Sequence, residues 1–233
     1  MQFPTWEDWL RQQEAVYAKF RAARQRIKVE GIIPDPATSG HWGGRVIIFR
    51  PAGEFTERLS EVSRDIGRIV PGSVGYGPTQ LHTTISDSGV VADYCPPPIE
   101  VDEVAKKMER GVGRALAHLG RISGSCEVVC GRPLVNATTV IMAGQPNDHW
   151  LTTVRGVLAA CHEQGLDLRA PWGAHLTIAR FGCAHPPTVA QGLVAYLDAV
   201  PPFGTCSLAA IEVCTFQFGP TGLSLTVHCR FAL

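Results

Sequence analysis

Two short stretches of the chain carry the same residue types in the same order. The first is Leu81-His82-Thr83-Thr84-Ile85 and the second is Ala174-His175-Leu176-Thr177-Ile178. Each reads His-x-Thr-aliphatic. With the histidine and threonine content of this chain, two accidental matches have a probability on the order of 1%. Both stretches are β-branched and apolar enough to be strands. In a strand, residues two apart share a face, so His82 pairs with Thr84 and His175 with Thr177. Two imidazoles suit paired acid–base chemistry. Their ordinary pKa is near ~6.5, so at neutral pH one can be neutral and the other protonated. One can then take a proton from a nucleophile while the other gives one to a leaving oxygen. The threonine hydroxyls can donate hydrogen bonds into the same space. Which histidine is base and which is acid stays open. The scheme calls for no metal and no cofactor.

Other residues near the motifs are weaker candidates. Arg180 lies three residues past Thr177. A regular strand turns it to the opposite face from His175, and a bulge would re-aim it. Arg45 and Arg50 flank an apolar run and would add positive potential. Tyr76 and Trp172 precede the two motifs, where an aromatic ring could stack on a base. His41-Trp42-Gly43-Gly44 reads as a lid or an ordinary loop. Several chemistries are not supported. There is no G-x-x-x-x-G-K-[ST] loop, no H-E-x-x-H and no G-x-S-x-G. Cys126 and Cys130 fall four apart on an expected strand, too far to share a zinc ion.

These side chains need a frame to hold them. The first thirty residues read as an amphipathic helix, with Trp6, Leu10, Gln13, Val16, Phe20, Ala23 and Ile27 at three- and four-residue steps. Thr5 is its expected cap, with Glu7 and Asp8 in the first turn. The opposite face, with Arg11, Lys19, Arg21, Arg24, Arg26 and Lys28, is either a solvated surface or a basic arm toward RNA. Beyond a turn-rich stretch, 31–44, the pattern predicts strands over 45–49, 81–86, 126–130, 138–142, 175–181, 208–218 and 223–231. Helices are expected over 54–70, 101–119, 150–164 and 189–200. A glycine-rich turn, 72–78, precedes the first motif. The order resembles one unit used twice, and closing hairpins favour α+β sheets with helices outside.

Composition agrees with an ordinary globular protein. The chain has 233 residues, 45% of them apolar, and 21 basic against 21 acidic side chains. That balance argues against a long nucleic-acid footprint, which needs excess Lys and Arg. It leaves room for a local basic groove. No run reaches ~18 apolar residues, so no membrane span is expected. The first residues lack a basic start followed by an apolar core, so a secretory signal is not expected and a cytoplasmic location is. The eight cysteines contain no C-x-x-C pair and are expected as reduced thiols.

The paired motifs resemble the twin H-x-[ST] tetrapeptides of the 2H phosphoesterase superfamily, which includes 2′-5′ RNA ligase-like proteins and cyclic nucleotide phosphodiesterases. His175-Leu176-Thr177-Ile178-Ala179-Arg180 is similar to the His-x-Thr-Leu-Ala-Arg run of the RNA ligase-like branch. The first motif departs from that branch, being followed by Ser86-Asp87-Ser88 in place of an apolar run ending in Gly. The resemblance covers residues 44–231. It implies a duplicated, two-lobed α+β fold over residues 31–233. Antiparallel or mixed sheets would line a central cleft, with the helix of 1–30 as an addition. It implies catalysis by His82 and His175, with Thr84, Thr177 and Arg180 on the phosphate and no metal. The implied substrate is a small nucleotide or RNA end: a 2′,3′-cyclic phosphate, a 2′-5′ phosphodiester or a cyclic nucleotide. A monomer is expected. Two alternatives stay open: a non-catalytic nucleotide- or RNA-binding module, and the same scaffold diverted to non-hydrolytic chemistry on another phosphorylated metabolite.

Overall fold

The computed structural model describes residues 5–120, 125–219 and 221–233. The reading of the first four residues therefore lies outside the described part. The helices are α1 (Trp6–Glu30), α2 (Glu54–Ile69), α3 (Glu103–Leu119), α4 (Asp148–Glu163) and α5 (Pro187–Ala199). The strands are β1 (Trp42–Pro51), β2 (Ser73–Gly75), β3 (Thr83–Asp87), β4 (Val91–Ala92), β5 (Glu127–Val135), β6 (Thr139–Pro146), β7 (His175–Phe181), β8 (Gly204–Gly219) and β9 (Gly222–Ala232). Every expected strand and helix is present within a few residues of its expected bounds. The glycine-rich turn before the first motif contains β2, and His41–Gly44 runs into β1 instead of forming a lid. Trp42 is already paired with Phe218 of β8.

Among the described residues all strand pairings are antiparallel, and they join the strands into one sheet in the order β4-β1-β3-β7-β6-β5-β8-β9, with β2 on β7. The long strand β8 closes this sheet on itself. Its first residues, Gly204–Ser207, pair with β5, and the stretch from Leu208 pairs with β1. The result is a two-lobed, barrel-like cleft with helices outside, an α+β fold. Helices α2 and α5 cover the β7 and β5 side, and α3 and α4 pack together behind β8, β9 and β3. Trp150 of α4 touches both Phe49 of β1 and Trp9 of α1, at centroid distances of 5.8 and 5.2 Å. Burial of such rings supplies much of the driving force that holds the lobes together.

Helix α1 packs along α5 and β5. Thr5 caps it by accepting the Asp8 N–H at 3.1 Å. Its buried stripe is Trp9, Gln13, Tyr17, Phe20, Ala23 and Ile27. The stripe is turned slightly from the expected one, with Trp6, Leu10 and Val16 at its edge. Arg11, Arg21 and Arg24 pair with Asp8, Glu14 and Asp198. Three of the six basic residues on this face are thus salt-bridged. The eight cysteines are all free thiols; Cys126, Cys130, Cys161, Cys206 and Cys214 are buried, while Cys95 and Cys183 are exposed. No helix among the described residues is long and apolar enough to cross a membrane.

Candidate active site

Strands β3 and β7 meet at a single register pair, Thr83 opposite Leu176. Counting outward along antiparallel strands sets His82 across from Thr177 and Thr84 across from His175. All four of these side chains line one cleft of about 620 Å³. Thr83 and Leu176 turn away and are fully buried. The twin motifs thus form a compact square, with an imidazole facing a hydroxyl across each side of the seam.

The two rings are held in the same way. His82 Nδ1 lies 2.6 Å from the Gln80 carbonyl oxygen, and His175 Nδ1 lies 3.2 Å from the Gly173 carbonyl oxygen. A carbonyl only accepts, so each Nδ1 carries the hydrogen and each Nε2 keeps its lone pair. In both halves the partner is the backbone two residues before the ring. Burial, reinforced by the Arg50 and Arg180 charges, lowers the His82 pKa to about 4. Burial, with His82 and Arg180 adding to it, lowers His175 to about 3. Both shifts favour the neutral rings. The expected pair of one neutral and one protonated ring then requires a counter-charge such as a bound anion in the cleft.

Arg180 reaches the cleft because β7 is bulged. Val140 pairs with Ala179 while the next residue, Ile141, pairs with Thr177, leaving Ile178 as the extra residue. A one-residue slip reverses every side chain beyond it, so Arg180 joins His175 and Thr177 on the cleft face. The regular-strand expectation for Arg180 fails for this reason. The Ile178 carbonyl accepts the Tyr76 N–H at 2.9 Å and the Ser63 hydroxyl at 3.0 Å, so the bulge is hydrogen-bonded. The first half repeats the device. Ile47 pairs with Ser86 and Ile48 with Thr84, so Ile85 is bulged and Asp87 turns into the cleft.

Other candidates find different places. Tyr76 is only 3% exposed. Its hydroxyl accepts Arg180 Nε at 3.1 Å and its ring leans on Phe218, so it braces Arg180 and leaves little face for a base. Arg180 also donates to Asp35 at 2.6 Å. Trp172 stacks on His175 with centroids 3.8 Å apart and 22° between planes, and it is 38% exposed. Arg45 is bound to Asp102, the cap of α3. Arg50 is bound to Glu212 and donates to the Thr79 and Leu81 carbonyls at 2.8 and 2.9 Å. Both arginines are thus held by carboxylates, and Arg50 also fixes the loop that presents His82.

Helix α1 does the corresponding work for His175. Trp9 Nε1 donates to the Pro171 carbonyl at 2.8 Å. Gln13 Oε1 accepts the Ala174 N–H at 2.7 Å. The Tyr17 hydroxyl accepts the Gly144 N–H at 3.1 Å and lies 3.2 Å from the Ala174 carbonyl. Sequence reasoning missed this role. The available signal was Gln13, a lone amide in an otherwise apolar stripe, which burial tolerates only when hydrogen-bonded.

No protein-family model matches the chain, and no curated protein does. Solved structures do. TT0787 of Thermus thermophilus superposes with a TM-score of 0.55 at 19% identity, over 82% of this chain and 97% of that one. LigT of E. coli in its apo form gives a TM-score of 0.50 at 16% identity, over 84% of this chain and 99% of that one. At these identities the likeness is one of fold, and the fold of this chain is the 2H phosphoesterase fold.

Proposed function

We propose that this chain, with its 2H phosphoesterase fold, is a metal-independent phosphoesterase that opens a 2′,3′-cyclic phosphate, a 2′-5′ phosphodiester or a cyclic nucleotide by two-histidine acid–base catalysis. One observation carries the reading. His82 and His175 each have Nδ1–H committed to a backbone carbonyl, which leaves both Nε2 atoms for one shared cleft.

With a 2′,3′-cyclic phosphate, the substrate anion enters between two neutral rings. Its charge favours the protonated form of a nearby imidazole, so one ring takes up a proton from solvent on binding. The other, still neutral, removes a proton from a water molecule as its oxygen bonds to phosphorus. The protonated ring gives its proton to the ribose oxygen as the P–O bond breaks. Thr84 and Thr177 donate to the non-bridging oxygens. Arg180, braced by Tyr76 and Asp35, supplies positive potential at the Thr177 end. Charging a ring of lowered pKa at neutral pH costs free energy, which the attraction of the bound anion has to offset.

The test is turnover of 2′,3′-cyclic AMP with chelator present and identification of the product. A 2′- or 3′-monophosphate, lost by about 10²- to 10⁴-fold in His82→Ala and in His175→Ala, is the expected result. Folded protein with no turnover across cyclic nucleotides and 2′-5′ oligonucleotides sinks the proposal.

A further inference from the structure

The register of β3 and β7 gives the cleft an order. Arg180 and Tyr76 stand at one end. Then come His82 with Thr177, and Thr84 with His175. Beyond these lie Asp87 and Trp172, and last Arg169. From Thr177 to Arg180 and from Thr84 to Asp87 are three residues each, at most about 10 Å along a strand. A cyclic mononucleotide with its phosphate on the histidine pair occupies the middle and leaves an end unfilled.

The two terminal arginines differ in state. Arg180 is paired with Asp35 and bonded to Tyr76. Arg169 is exposed, and among the described residues its guanidinium makes no ion pair or hydrogen bond. Its backbone, by contrast, is fixed. The Arg169 N–H donates to the Asp87 carbonyl at 3.0 Å, and its carbonyl accepts the Ser86 hydroxyl at 2.7 Å. The guanidinium lies against Gly89, where an added Cβ would come within 3.1 Å of Nη2. Gly89 has φ +87°, a conformation that glycine adopts freely. The Asp87 carboxylate is held by the Gly89 N–H at 2.7 Å. It repels an anion on its own side and accepts hydroxyl or amino protons. Between this end and the histidines, Trp172 stacks on His175 and meets the Tyr17 ring edge-on while staying 38% exposed, so part of its surface is open to a base. The sequence departure Ser86-Asp87-Ser88 therefore builds the floor of a second polar end.

We infer that this end of the cleft receives a second phosphate, with Arg169 as its cation, so that the preferred substrate is a nucleotide chain or an end-phosphorylated nucleotide and not a bare cyclic mononucleotide. This deepens the reading of the same cleft as a phosphoesterase site and rests on it for the placement of the first phosphate. A charged guanidinium on a mounted backbone suits phosphate, which it can bind through two parallel hydrogen bonds.

The experiment is calorimetric binding of adenosine 3′-monophosphate and adenosine 3′,5′-bisphosphate to the full chain at low salt. The bisphosphate is expected to bind about three- to tenfold more tightly, the range for a partly exposed charge-assisted pair. In Arg169→Ala that advantage disappears, and in Arg169→Lys part of it returns. The salt dependence of bisphosphate binding becomes shallower by about one unit of log–log slope in Arg169→Ala. Equal affinities in the wild type, or an advantage unchanged in a folded Arg169→Ala, overturn the inference. The wild-type salt slopes for the two ligands give a second reading that needs no variant; identical slopes overturn it too. The two proposals fail separately. A chain that prefers the bisphosphate yet turns over no cyclic phosphate rejects the catalytic reading and keeps this one, and active enzyme with no preference does the reverse.

Discussion

Gln13 of α1 accepts the backbone N–H of Ala174 through its side-chain oxygen at 2.7 Å, one residue before His175 and 161 positions away in sequence. The bond ties the N-terminal helix to the strand that presents one of the two imidazoles. Both groups are buried, so neither has water as a substitute partner.

Replacing Gln13 by Leu leaves the Ala174 N–H unpaired, at a cost of about 1–3 kcal/mol. Denaturant unfolding is expected to show that loss. Steady-state kinetics are expected to show a fall in kcat with little change in KM, because the Nε2 direction of His175 is disturbed more than the phosphate contacts. Tyr17→Phe, which removes one hydroxyl and keeps the ring, gives a smaller shift of the same sign. Unchanged kcat in both variants rules out a positioning role for the helix.

The lowered histidine pKa values make stability depend on pH. An unfolded histidine titrates near ~6.5, while His82 and His175 in the folded protein titrate at about 4 and about 3. The unfolded chain therefore takes up protons first as the pH falls. The contribution of these two rings to stability is full above pH ~6.5 and declines as the pH drops through 4 toward 3. Urea midpoints measured across this window are expected to fall less steeply in His82→Asn and His175→Asn than in the wild type.

The same values set the pH profiles of catalysis. In the free protein the singly protonated pair is abundant only at acid pH. In the substrate complex the phosphate anion raises the pKa of the ring it protonates. The bell for kcat/KM, which reports the free enzyme, is therefore displaced to lower pH than the bell for kcat. Coincident bells centred near neutrality would show that the free rings are not depressed.

Arg180 and Asp35 are coupled. Asp35 is 6% exposed and accepts from Arg180 at 2.6 Å and from Thr139 at 2.9 Å. Arg180→Met strands a buried carboxylate and is expected to cost roughly 2–4 kcal/mol, somewhat below the figure for a fully buried pair, since the Arg180 side chain keeps 30% of its exposure. Adding Asp35→Asn recovers much of the stability but none of the substrate affinity. A thermal-unfolding and KM series on the single and double variants separates the two effects.

Much of this molecule is legible one residue at a time. The His-x-Thr repeats identify the side chains that meet in the cleft. Alternation along a strand assigns His82 and Thr84, and His175 and Thr177, to common faces. The long strand–helix order marks an α+β chain with helices outside. These features follow from local rules, since side-chain alternation and apolar periodicity belong to the segment itself. The charge partners of Arg45 and Arg50 are a different matter, for Asp102 and Glu212 lie 57 and 162 positions away.

Local pattern alone determined the two imidazoles, their threonines and the frame that carries them. Tertiary structure alone decided their state. The bulges at Ile178 and Ile85 arise from cross-strand register, and they turn Arg180 and Asp87 into the cleft against the period of their own strands. The low pKa values arise from dehydration in a cleft that forms only when the sheet closes through β8. The support of His175 by Gln13 and Tyr17 needs a helix that enters the fold far from it in sequence. Register, dehydration and long-range hydrogen bonds are properties of segments brought together, so no single segment encodes them.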